Sequence, residues 1–441
     1  MTGKWQAEFE SFTGHLSLGP ERLPVIVRIG IDAAGALQFE FGTIKLAEKS
    51  RFVFVSWHSA TREMTYFSLD AATANGTTFS TERLFFLSLN NRSDASGTWF
   101  APTAKCDVGS LRYRLKIPAE RPALRMRLKG FRNFGSLHEE CSLGRVAAQG
   151  LHEIEDVDTV TGSFTIQAVA DVDATLWKKD ADKLLEHIRR IMSFAAASLL
   201  GSPIVEFFAG DTLEVSVRSE ARQRSGTAPI IHFLAQESIF KAAVTSFFSP
   251  PVVVNHLYFA IEWFAMVATY NEVRLVNAMT ALENLIDSNL SRNEALILPR
   301  NQFDKIRRVL FSIIRACVSK WTPDTAEEVL IELNEKLLDL NRRSLLRKLE
   351  TLRQRWNVPL NGIDDGTLKA AKQARDKVVH RGQYYEDAKE SDADLWTHVT
   401  VVREVAVRFL FTAIGFKGRY ISHMGGYHDA EFPPLGPEAG S

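Results

Sequence analysis

Arg375 and His380 stand five positions apart in the stretch Ala374-Arg375-Asp376-Lys377-Val378-Val379-His380-Arg381-Gly382. A guanidinium can grip two phosphate oxygens at once and stays charged throughout the working pH range. An imidazole takes or gives a proton near neutrality. Cleavage of RNA by its own 2′-hydroxyl needs a base for that proton, charge stabilisation on the phosphorane and an acid for the leaving oxygen. This pair of side chains can supply them without a metal, and the sequence shows no metal-ligand cluster. The spacing carries little information alone, because about one Arg-x4-His pair is expected by chance in this composition. Arg132/His138, Arg51/His58 and Arg145/His152 have similar spacings. They fall in or near a β-rich region, and Gly135 and Gly150 interrupt two of them, so they read as incidental.

The element that must position Arg375 and His380 is a helix over 366–381. Asp364, Asp365 or Thr367 can cap its start, and Gly382 suits the left-handed position just past its end. His380 and Arg381 occupy the last turn, where free carbonyls favour cations, so the plain structural alternative is that both are simply good C-terminal residues. Projected at about 100° per residue, Leu368, Ala371, Ala374, Val378 and Val379 form an apolar arc. Lys369, Gln373, Asp376 and His380 form the opposite one. Arg375 falls inside the apolar arc, so it must pair with an acid, snorkel out or face a second chain. Glu283 and Asp287, one helical turn apart, are the acids able to pair with it. Residues five apart diverge by about 140° on a regular helix. Arg375 and His380 would converge only through a distorted helix end or in a composite cleft between two copies, and the geometry favours the second.

A chain of 441 residues implies two or three domains, and its zero net charge confines any polyanion site to a local patch. Cys106, Cys141 and Cys317 form neither a metal spacing nor a disulfide framework, as in a reducing cytoplasm. Met1–Glu8 has no apolar signal segment. The apolar stretch Val252–Tyr270 contains Asn255, His256 and Glu262, which argues for a buried helix rather than a membrane span.

The first 170 residues read as β structure. Pro24–Ile31, Arg51–Trp57, Arg83–Leu89 and Ser163–Val169 are β-branched and aromatic runs. Turn signals at Asp32–Gly35, Ala74–Gly76 and Asn90–Asn91 separate them, predicting a sandwich or open barrel. Leu184, Leu185, Ile188, Ile191, Met192 and Ala195 give a helical stripe over 177–200. A short strand pair, Ile204–Phe208 and Thr212–Val217, follows, and a polar linker near 221–227 places the boundary near 230. Residues 231–425 read as successive helices at 236–248, 252–269, 272–289, 301–319, 324–339, 342–355, 366–381 and 392–415. Residues 426–441 read as a flexible tail. The fold class is α+β multidomain, a β-rich domain over 1–230 followed by an all-α bundle.

The segment Arg375–Gly382, the apolar helix 392–415 after it and the segment Glu272–Leu285 together resemble the HEPN superfamily, with the match covering about 270–415. Within it the chain is similar to ApeA-like HEPN proteins, which carry a β-rich domain ahead of the HEPN bundle. The resemblance implies a metal-independent endoribonuclease acting as a homodimer on RNA, without a cofactor. It also implies a toxin-like effector of anti-phage (abortive infection) defence in the cytoplasm, whose β domain would sense a phage-derived trigger or restrain the nuclease. The family motif falls on Arg375, Asp376 and His380, with Arg381 as a supporting cation. Asp376 stands where Asn is common, and can either orient Arg375 or partly cancel its charge.

Arg307, Arg308, Arg315, Arg342, Arg343, Arg347, Lys348, Arg353 and Arg355 offer positive charge ahead of the motif. Glu327, Glu328, Glu332, Glu335 and Glu350 are interspersed, which favours an ordinary solvated surface. Two other functions stay open. One is a non-catalytic HEPN module that binds nucleotides or partners. The other is a ligand-binding β-sandwich with a helical oligomerisation domain, in which Trp57 or Trp99 would matter.

Overall fold

Alternation of apolar and polar residues sets the strands of the first half. In the computed structural model, β1 (Ala7–Leu18) pairs antiparallel with β2 (Glu21–Ile31). Leu23, Val25, Val27, Ile29 and Ile31 of β2 all turn inward. Pro24, which has no N–H to donate, lies where β2 is paired with β1 only. The structure describes residues 7–45, 65–94, 97–154, 156–220, 228–321, 326–385 and 391–434. The expected strand Arg51–Trp57, the Arg51/His58 pair and Trp57 lie outside them. Trp99 belongs to a strand, but its side chain is not among those described.

The chain divides into two units, Met1–Phe248 and Ser249–Ser441. In the first, β3 (Leu37–Phe41) pairs with β2, while β4 (Ile44–Lys45) pairs with β7 (Gly97–Cys106). β7 pairs with β6 (Thr78–Asp94), β6 with β5 (Phe67–Ala72), and β5 with β1. Strand pairing thus runs β3–β2–β1–β5–β6–β7–β4, and these strands share one core that includes Phe12, Val27, Phe39, Phe67 and Phe79. Asn90 and Asn91 lie inside β6, paired with β7, and make no turn.

The long strand β8 (Val108–Lys129) pairs with β6 near its start. It carries β11 (Val160–Gln167), then β10 (Gly144–Gly150) and β9 (Ser136–Cys141). Its other partner is β12 (Gly201–Arg218), one strand where sequence reading expects two. Gly210, at φ +54°, absorbs the irregularity, and pairing with β8 resumes beyond it.

α1 (Ala174–Ala195) packs on this sheet, with all six residues of the expected stripe buried. The next helix, α2 (Glu237–Phe248), packs on α1 and belongs to the first unit. The boundary therefore falls at 248/249 instead of near 230. The physical reason is that Phe240 meets Phe164 at 6.3 Å between ring centroids, while Ser246 hydrogen-bonds buried His187 at 3.0 Å.

The second unit contains α3 (Leu257–Ala265), α4 (Asn271–Asn289), α5 (Arg300–Trp321), α6 (Ala326–Asp339), α7 (Leu345–Trp356), α8 (Asp365–Arg381) and α9 (Asp392–Ile414). α3 is shorter than the expected 252–269. Asn255 N–H donates to Asn289 Oδ1 (2.7 Å), and Asn289 Nδ2 donates back to Asn255 O, so side-chain bonds hold this segment ahead of the helix. α9 starts in a Ser391/Asp394 capping box, ends at left-handed Gly415 and is buried along most of its length. It packs against α4, α8 and α3. α5 and α6 pack on each other and leave Ile306, Val309 and Ile313 exposed.

The expected tail is partly ordered. β13 (Gly418–Ser422) and β14 (His428–Phe432) form a hairpin that buries Tyr420, Ile421 and Phe432. Residues 435–441 lie outside the described residues. Among the described residues no helix is long and apolar enough to cross a membrane.

Candidate functional site

α8 is framed by the caps its sequence calls for. The Asp364 carboxylate accepts from Thr367 N–H at 2.8 Å, and Gly382 at φ +77° closes the helix by donating to Val378 O at 2.9 Å. Ala371 and Ala374 are buried in one core with Leu275, Ala278 and Met279 of α4 and Leu395, Val399 and Val402 of α9, and Leu368 is buried too. Val379, expected in the same arc, is half exposed.

Arg375 takes the first of its three expected fates. Its Nη2 donates to both carboxylate oxygens of Glu283, at 2.8 and 2.7 Å, and its Nη1 reaches Asp376 Oδ1 at 3.3 Å. Asp376 in turn accepts from Lys372 one turn earlier. Asp287, the other candidate acid, accepts from Lys348 at 2.8 Å instead. Arg375 Nε is buried with no acceptor among the described residues.

Burial pushes the Glu283 carboxyl up, with Asp287 and Asp376 adding to it, and Arg375 only partly offsets the rise. Burial would also raise Asp376, but Lys372 and Arg375 outweigh it and hold that carboxyl below its usual value. The result is a Glu283–Arg375–Asp376–Lys372 chain of alternating charge that fixes the guanidinium in one place.

His380 is exposed at the last turn of α8, and no described residue hydrogen-bonds its ring. Its exposure contrasts with the inward-pointing, three-quarters buried Arg375. α8 stays regular to its cap, so the structure brings Arg375 to Glu283 and Asp376 but does not bring His380 to Arg375 within one chain. Arg381 is exposed beside His380. After the turn, Tyr384 is buried against His398 and lies under Lys377.

The basic residues ahead of the motif are mostly engaged. Arg342 pairs with Asp339, Arg353 with Glu350, Arg355 with Glu294 and Lys348 with Asp287, while Arg343 donates to Leu296 O. This is the ordinary solvated, internally paired surface. Of the two incidental Arg–His pairs among the described residues, Arg132 donates to the backbone oxygen of His152 and Arg145 pairs with Glu140.

Sequence reasoning missed a buried network on α9. Arg408 Nε donates to Glu404 Oε1 at 2.8 Å, Ser422 Oγ donates to Glu404 Oε2 at 2.9 Å and the Tyr420 hydroxyl donates to Glu404 Oε1. Arg408 also donates to Asn361 O at 2.8 Å. Two opposite charges four apart in an otherwise apolar helix were the available signal. In the first unit, a cleft of about 670 Å³ between α1 and the β8–β12 sheet is lined by Lys178, Asp182, Glu186, Arg218 and Glu220. Among the described residues no group of three or more His, Cys, Asp or Glu side chains is arranged to hold a metal ion.

No family model matches the chain, and no curated protein and no solved structure matches it either.

Proposed function

We propose that the chain is a metal-independent endoribonuclease of the HEPN type, whose cleft is completed when α8 of two copies meet. The observation that supports this reading is the division of labour on α8. Arg375 is fixed by Glu283 and Asp376, while His380 carries an exposed imidazole with no hydrogen-bond partner among the described residues. A fixed guanidinium costs nothing to reorganise when charge develops on a phosphorane. An unencumbered imidazole is free to move a proton. Because the two diverge on one helix, a phosphate held between them draws Arg375 from one copy and His380 from the other. Half-exposed Val379, beside His380, is the apolar contact available at that seam. In this reading the protein is a toxin-like effector of anti-phage defence in the cytoplasm, and its first unit senses a phage-derived trigger or restrains the nuclease.

One observation favours a second reading, a non-catalytic module that binds nucleotides or partners. Both Glu283 oxygens are engaged by Arg375, which is also how a purely structural ion pair is built. The chemistry of the products separates the two. The nuclease leaves 2′,3′-cyclic phosphate ends from RNA in EDTA, whereas 5′-phosphate and 3′-hydroxyl ends would exclude attack by the 2′-hydroxyl.

A further inference from the structure

Between residues 298 and 341 the chain leaves the bundle and returns to it. Ile297 N–H donates to Asn341 O and Leu298 N–H to Asn341 Oδ1, both at 2.8 Å, and Asn341 Nδ2 donates back to Leu298 O at 2.9 Å. Asn341 is buried, so these bonds fasten the two ends of the excursion at one point. Beyond them α5 and α6 pack on each other, and among the described residues they make only marginal contact with any other element. The buried residues of the two helices are Phe303, Val318 and Leu337. The pair is an arm with a small core of its own.

The arm is apolar on two opposite sides. On α5, Ile306, Val309 and Ile313 are exposed and lie within about 60° of one another, and exposed Ala316 extends the row. The row repeats at three and four residues, the spacing of a helix-packing seam, and no charged side chain falls in it between Ile306 and Ala316. About 150° round the same helix, Phe311, Arg315 and Ser319 form one wall of a groove of about 500 Å³. Glu327, Leu330 and Ile331 of α6 form the other wall. The ridge from Ile306 to Ile313 is about 10 Å long and the groove about 12 Å, so one fits along the other.

Charge says what covers these two surfaces. α5 carries six Arg and Lys against one Asp, and α6 carries five Asp and Glu against one Lys. A ridge on the basic helix therefore suits a groove with an acidic wall. Ridge against ridge would set two basic helices face to face, which repulsion disfavours. Ridge and groove lie on opposite sides of the arm, so a chain cannot fill its own groove. The complement is carried by a second copy.

We propose that the α5 ridge of one copy seats in the α5–α6 groove of the next, a head-to-tail contact between arms. Ile306, Val309 and Ile313 pack on Phe311, Leu330 and Ile331 of the neighbouring copy. The contact is heterologous: a copy that has placed its ridge still offers an open groove, so copies add one after another. It uses neither α8 nor Val379 and does not depend on RNA cleavage. Each contact is small, so assembly follows protein concentration.

The test is sedimentation velocity of the full-length chain from about 1 to 100 µM, at low and at high salt. The wild type sediments faster as concentration rises, and high salt weakens the effect. Ile313→Glu removes the ridge and Ile331→Glu the groove. Both residues are more than half exposed, at 56% and 59%, so both variants keep the helicity and melting temperature of wild type. Each variant alone loses the concentration dependence, with association weakened at least about tenfold. An equimolar mixture of the two regains association, because one supplies an intact groove and the other an intact ridge. Val379→Glu, on α8, keeps the wild-type concentration dependence. A wild type that sediments alike at every concentration overturns the proposal, as does assembly by either arm variant alone, a mixture that stays unassociated, or loss of assembly in Val379→Glu. Because no cleavage is read, failure here leaves the nuclease reading standing, and loss of nuclease activity leaves this one standing.

Discussion

Arg375 on α8 and Glu283 on α4 meet through one guanidinium nitrogen set between both carboxylate oxygens, at 2.8 and 2.7 Å. The contact joins two helices 92 residues apart in sequence and turns an arginine on a core-facing arc into a positioned charge. Both side chains are less than a third exposed, so the pair is worth more than a surface ion pair. A double-mutant cycle with Arg375→Met and Glu283→Leu should give a coupling of about 1–2 kcal/mol in urea unfolding, with the double variant more stable than the singles predict. A coupling near zero would show that the two side chains do not interact in solution.

His187 ties α1 to α2 and predicts an acid-sensitive first unit. Burial pushes its imidazole down to about 4, so the folded chain favours the neutral ring. Between pH 6.5 and 4 the unfolded chain therefore binds a proton that the folded one refuses. Stability is complete above about pH 6.5 and falls as pH drops, by about 2 kcal/mol between pH 7 and 5 from this residue. His187→Gln should flatten that part of the profile in unfolding followed at both pH values. An unchanged pH slope would refute the assignment.

The Glu404 network makes a graded prediction. Tyr420→Phe removes one of the donors and should cost about 1–2 kcal/mol. Arg408→Met leaves the buried carboxylate without its counter-charge and should cost about 3–5 kcal/mol. Adding Glu404→Leu to Arg408→Met should recover part of that loss. Thermal melting of the three variants orders them, and equal losses would mean that the network does not act as a unit.

Much of this was legible from period and caps. The stripe at Leu184, Leu185 and Ile188 is buried as spaced, and Asp364 and Gly382 bound α8 where their residue types require. An acid for Arg375 could be narrowed to Glu283 or Asp287, but choosing between them needs the position of α4 against α8, which no local pattern encodes. Ala209-Gly210-Asp211 looks like a turn because Gly210 does adopt positive φ, yet the ladder with β8 overrides it.

The division between units predicts where the chain can be cut. A fragment starting at 249 should be soluble and helical, because the second unit has its own core. A fragment starting at 231 carries α2 without α1, exposes Ile239, Phe240 and Ala243 and should aggregate. If the first unit restrains the nuclease, expressing the fragment from 249 should be more toxic than the whole chain; if it assembles the dimer, the fragment should be inactive. Unchanged toxicity contradicts a regulatory role.

Cleavage of total cellular RNA by wild type and His380→Ala, in EDTA and with product ends mapped, tests the nuclease reading most directly. His380 is exposed, so the substitution should leave folding intact within about 0.5 kcal/mol. Only the wild type should cut, leaving 2′,3′-cyclic phosphate ends. Equal cutting by both proteins would contradict it and leave Arg375 and His380 as structural residues of α8.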